Sequence, residues 1–138
     1  MIEEDYVIFE TAKLLKEKRF YGHCHSFYET NENGKFLIAS LVDNYGSVSY
    51  DNREEYQMPT LQMVMKWLRE KFGFQVCIDF EVDYDEDERG TKYYYEPGWY
   101  WQIYRIRDRK QLSDDPNLYV SYEQACEAAI KYCLEKLI

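Results

Sequence analysis

Apolar residues return along this chain at two spacings, and the spacing sorts the sequence into elements. Intervals of three and four mark helices. Tyr122, Ala125, Cys126, Ala129, Ile130, Cys133 and Leu137 share one face of a helical wheel, with Gln124, Glu127, Lys131 and Glu135 opposite. That pattern predicts an amphipathic helix packed on a core. Ser121, with Gln124 three residues later, supplies a capping box for it. A middle helix starts at "MPT", with Pro59 in the first turn, where a missing N–H costs nothing. Leu61, Val64, Met65, Leu68 and Phe72 form its stripe, and Gly73 stops it. A first helix, from Ile8 to Arg19, has a thinner stripe of Ile8, Ala12 and Leu15 and no terminating glycine.

An interval of two marks strands. "FQVCIDFEVDY" alternates Phe74, Val76, Ile78, Phe80, Val82 and Tyr84 with Gln75, Cys77, Asp79, Glu81 and Asp83, the pattern of a half-buried antiparallel strand. "WYWQIYRI", Trp99 to Ile106, is its expected partner. "HCHSFYET" and "KFLIASLV" flank "NENG", and Asn33-Gly34 is a hairpin signal, because a type I′ turn needs two successive positive φ angles. Residues 43–58 read as a long connection.

The resulting order is helix, two strands, helix, two strands, helix. A shift of 53 residues aligns Leu15-Lys16-Glu17-Lys18 with Leu68-Arg69-Glu70-Lys71, and pairs Tyr21 with Phe74, Cys24 with Cys77 and Phe27 with Phe80. The alternative to duplication is chance, since L-[KR]-E-K is common on helices. The expected fold is a single α+β domain over 1–138: an antiparallel sheet of about four strands and three helices, built as a duplicated αββ unit closed by the C-terminal helix.

Composition narrows the function classes. At 138 residues, 46% hydrophobic and 31% charged, the chain can bury a core. Its net charge of −9 disfavours broad contact with nucleic-acid phosphates and suits a soluble protein with a basic partner, or with none. Aromatics reach 18%, with fifteen tyrosines, which suit half-buried sheet faces and interfaces. No apolar run approaches the ~20 residues of a membrane span, so no membrane association is expected. The start "MIEEDYVIFE" lacks the pattern of a signal peptide. The expected compartment is the cytoplasm, with Cys24, Cys77, Cys126 and Cys133 reduced.

"ETAKLLKEK", "PTLQMVMKWLREK" and "SYEQACEAAIKYCLEKLI" resemble segments of small uncharacterised proteins of gut Bacteroides-type bacteria and their phages. The resemblance covers the three helices, about a third of the chain. It implies a structural module of mobile-element origin and carries over no catalytic residue. Such proteins often place a serine before the first helix, where this chain has Ile8.

Four stretches carry candidate chemistry. "DFEVDYDEDERG" holds seven acidic residues in twelve, and Asp83-x-Asp85-x-Asp87 begins like a calcium loop. Counted from Asp83, position 6 is Glu88 and position 12 is Tyr94, so the turn glycine and the chelating glutamate of an EF-hand are missing. A solvated hairpin end closing near Arg89-Gly90 is expected instead. In His23-Cys24-His25, period 2 would put both imidazoles on one face, but zinc wants three or four protein ligands. Cys24 and its neighbours would point apart on a strand, so they form no catalytic dyad. No phosphate loop, nucleophile elbow or zinc motif occurs, and no cofactor, metal or catalytic residue is assigned.

The segment "YYYEPGWYWQIYRIRDRK" combines aromatics with Arg105, Arg107 and Arg109. With Trp101, these could stack bases and hold phosphates. The competing expectation is that Trp99, Trp101 and Ile103 face the core while Arg105 and Arg107 pair with Asp79, Glu81 or Asp83 across strands. On the middle helix, Met63 and Trp67 lie four apart on the polar side, and Leu14 is the equivalent of Trp67 under the repeat. Either residues 43–58 cover them or they anchor an interface. The expected function is a non-catalytic accessory or protein-interaction module with a protein partner or a homodimer, an acidic DNA-mimicking inhibitor being one form of it. The alternative is a nucleic-acid-associated protein using strand 99–110.

Overall fold

The computed structural model describes residues 4–30, 36–40, 54–82, 84–94 and 96–138. Asn33-Gly34, residues 43–53 and Asp83 lie outside them. The fold is α+β, with three helices and antiparallel strands among the described residues. The chain divides into two compact units, Met1–Val64 with Ile130–Ile138, and Met65–Ala129. Both later boundaries fall inside helices, α2 (Leu61–Trp67) and α3 (Tyr122–Tyr132).

The first unit starts with an extended segment and α1, Phe9–Glu17. Its sheet is antiparallel, in the order β2 (Phe36–Ser40), β1 (Ser26–Thr30), β3 (Glu54–Gln57). Phe9 meets the cross-strand pair Tyr28 and Tyr56 edge-on, at centroid distances of 5.5 and 5.4 Å. Tyr28 Oη donates to the Val7 carbonyl at 2.6 Å, which satisfies a buried hydroxyl and fixes the chain entering α1. Val7, Ala12, Leu15, Leu61, Val64, Ile130, Cys133 and Leu134 are buried. Ile8, expected on the stripe of α1, is instead 47% exposed. It is the N-cap residue, extended at φ −73° and ψ 165°, and contributes no side-chain cap.

α1 needs no glycine to stop. The N–H of Phe20 bonds the Leu15 carbonyl at 2.9 Å and that of Arg19 bonds Lys16 at 3.1 Å, the paired bonds of a Schellman ending. Arg19 takes the left-handed position usually held by glycine, at φ 60°. Phe20 is buried, as is Leu15, the two positions whose apolar contact accompanies such an ending.

In the second unit, β7 (Gly98–Arg105) lies between β4 (Phe74–Glu81) and β8 (Lys110–Asp114). Phe80 faces Trp99, Ile78 faces Trp101 and Val76 faces Ile103. A separate ribbon pairs β5 (Tyr84–Glu86) with β6 (Lys92–Tyr94). The described strands therefore form two three-stranded sheets and a ribbon, rather than one sheet of about four. Both units run helix, strand, antiparallel partner, as the repeat expects. The third strand breaks the likeness: β3 joins β1, whereas β8 joins β7. At the offset of 53, Phe74 begins β4 but Tyr21 precedes β1 by five residues.

The helix caps follow side-chain chemistry. Thr60 Oγ1 accepts from the Met63 N–H at 3.1 Å, so Thr60 is the cap of α2 and Pro59 stands one position before it, outside the first turn. Ser121 Oγ likewise accepts from the Gln124 N–H, at 3.1 Å. α2 and α3 each end in a π-helical turn, Leu68–Phe72 and Cys133–Leu137. The last turn buries Cys133 and Leu134, while Leu137 is half-buried. Gly73, at φ 71°, closes α2 as expected. No helix among the described residues is long and apolar enough to cross a membrane.

Candidate interaction surfaces

The alternation of β4 outruns its core. Val76 is buried and Phe74 and Ile78 are half-buried, but Phe80 is 50% and Val82 51% exposed. The exposure continues into the ribbon, where Tyr84, Tyr93 and Tyr94 are also exposed. Phe80 packs on Trp99 at 4.9 Å and Tyr84 on Tyr94 at 5.6 Å, so the rings brace one another in pairs. Lys92 Nζ lies 4.7 Å over the Tyr84 ring. The period-2 pattern of residues 74–84 shows which side a residue takes, not how far the cover extends.

The acidic loop is the expected hairpin end. The Asp87 carboxylate accepts from the Arg89 and Thr91 N–H groups, both at 2.9 Å, and from Tyr93 Oη at 3.2 Å. Those bonds, the one from Thr91 first, hold its carboxyl below the ordinary value. Gly90, at φ 79°, supplies the left-handed turn residue. The carboxylate thus serves its own turn.

His23 and His25 are both exposed, with ring centroids 5.2 Å apart, although neither lies in β1. Among the described residues, no group of three or more His, Cys, Asp or Glu is placed to hold a metal. All four cysteines are thiols. Burial raises the Cys24 and Cys77 thiols and pushes Cys133 up to about 12, the direction away from a nucleophilic thiolate.

Trp101 is 3% exposed, so its ring belongs to the interior and offers no face to a base. Arg105 does not pair across strands with Asp79 or Glu81. The antiparallel register sets it opposite Phe74, at the other end of the ladder. Its guanidinium instead grips Asp108 at 2.6 Å within the β7–β8 turn, which draws the Asp108 carboxyl down to about 2. Arg107 and Arg109 are exposed, and Arg109 takes a left-handed turn position at φ 60°.

Met63, Trp67 and Leu14 are all half-buried. Trp67 has Phe72 edge-on at 5.0 Å and Lys71 Nζ at 5.6 Å. The π-helical turn of its own helix brings Phe72 to it. Met63 lies beside Gly22, where an added Cβ would come within 3.1 Å of its sulfur and 2.6 Å of the Phe20 ring. These placements give Met63 and Trp67 intramolecular neighbours, while residues 43–53 of the expected cover lie outside the described residues.

A cleft of about 510 Å³ opens between α1 and β3. Ala12, Leu15 and Phe20 give it apolar walls, and Lys16, Arg19 and Glu55 give it charge. Lys16 Nζ reaches the Glu55 carbonyl at 3.0 Å. Gln57 braces the cleft end through a two-way amide bond with Gly22, at 3.3 and 2.9 Å. Sequence reasoning missed this site because "EEYQ" was read as part of a connection. Its signal was Tyr56 between polar residues, too short a run to identify a strand. Comparisons with family models, curated proteins and solved structures return no match for this chain.

Proposed function

We propose that the chain is a non-catalytic protein-interaction module whose main contact surface is the apolar strip of residues 80–94. The observation that supports this reading is the continuation of apolar side chains beyond the end of the β4 core, with Phe80, Val82 and Tyr94 each half or more exposed. Covering the exposed half of one such ring removes about 100 Å² from water, or about 2.5 kcal/mol. A few such rings offset much of the entropic cost of association. Asp79, Glu81, Asp85, Glu86 and Glu88 are exposed along the same stretch. The fitting partner is therefore an apolar patch rimmed by lysine or arginine. A homodimer through this strip would set like charges against each other, which favours a different protein. An accessory role of this kind fits the mobile-element resemblance of the helices.

Site-specific photo-crosslinking in the source cells tests the reading. Benzoylphenylalanine at position 80 or 94 should give one discrete protein adduct, and at position 79 much less. No adduct at 80 and 94, or equal adducts at all three positions, would refute it.

A further inference from the structure

We infer that the cleft between α1 and β3 receives an extended acidic peptide from a partner protein, added as a strand on the outer edge of β3. The site is built from first-unit residues and does not depend on the aromatic strip.

Hydrogen-bond parity shows where the edge points. The Met58 N–H bonds the Ser26 carbonyl at 3.1 Å, so even-numbered residues here turn their peptide groups toward β1. Glu55 and Gln57 therefore turn theirs outward, and Lys16 Nζ on the Glu55 carbonyl agrees. The same edge already accepts a strand farther along. Val7 N–H bonds the Pro59 carbonyl at 3.1 Å and Leu61 N–H bonds Asp5 at 2.9 Å, with Tyr6 antiparallel to Thr60. The chain then turns into α1, and among the described residues no strand continues along the edge at Gln57 and Glu55. A peptide would continue, antiparallel to β3, the ladder that residues 5–7 begin.

The walls select the occupant. Ala12, Leu15 and Phe20 suit one apolar side chain. Lys16 and Arg19 outnumber Glu55, so the cleft favours an anionic guest on a protein of net charge −9. Arg19 forms no ion pair among the described residues. It occupies a left-handed position that glycine would hold without strain. Tyr21, 92% exposed, lines the same cleft and can close over a bound strand. The occupant is thus an extended segment with an apolar residue near an aspartate or glutamate.

The test is selection from a random linear-peptide library on the immobilised full chain. Enriched peptides should pair an apolar residue with an acidic one, and the best of them should shift the Glu55 and Gln57 amide signals. Arg19→Glu should turn the selection toward lysine and arginine. Arg19→Gly, which keeps the helix ending, should weaken the best peptide about tenfold. N-methylation of its alternate peptide nitrogens should do the same, since a strand needs them. No enrichment over the bare support would overturn the proposal. So would peptides that bind Arg19→Glu and Arg19→Gly equally well.

Discussion

Arg19 both ends α1, in a complete Schellman pair with arginine rather than glycine at φ 60°, and lines the cleft beside β3. A left-handed non-glycine residue costs about 1 kcal/mol. Arg19→Gly should therefore raise stability by up to that amount in urea titration, even as it removes a cleft cation. Asp108 gives the pH dependence. Its carboxyl lies at about 2 in the folded chain, below the ordinary 3.8, chiefly because Arg105 bonds it. Its contribution is complete above about pH 4 and lost as the pH falls toward 2. A carbon-detected NMR titration should place the Asp108 midpoint near 2, and Arg105→Gln should return it toward 3.8.

At the scale of elements, the helices were legible because their stripes are long and their caps are chemical. Thr60→Ala and Ser121→Ala should each cost about 1 kcal/mol. Ile8 contributes no side-chain cap to α1, so Ile8→Ser should gain a similar amount, measured by the shift in denaturation midpoint. β4 and β7 were legible from strict alternation. β3 and β8 were not, because "EEYQ" and "KQLSD" are short polar edge strands whose ladder comes from a neighbour. The π-helical turns have no signature in residue type, and the one ending α2 sets Phe72 against Trp67. The cleft was hidden for the same reason as β3: one of its walls read as a connection.

For the molecule as a whole, α+β was readable from alternating helical and strand periods. The division of the strands among sheets was not, since pairing depends on contacts far apart in sequence. The alternation of residues 74–84 was visible in the sequence, but not where its cover ends. The central claim is that Phe80, Val82 and Tyr94 present apolar surface to a partner. The most direct measurement is the unfolding free energy of Phe80→Ser/Tyr84→Ser, with the crosslink from position 94 followed in the same variant. The account predicts loss of the adduct while the variant remains folded, at a cost of about 2–4 kcal/mol for the half-covered rings and their Trp99 and Tyr94 partners. An undiminished adduct from the folded variant would contradict it, because the partner would then be held elsewhere.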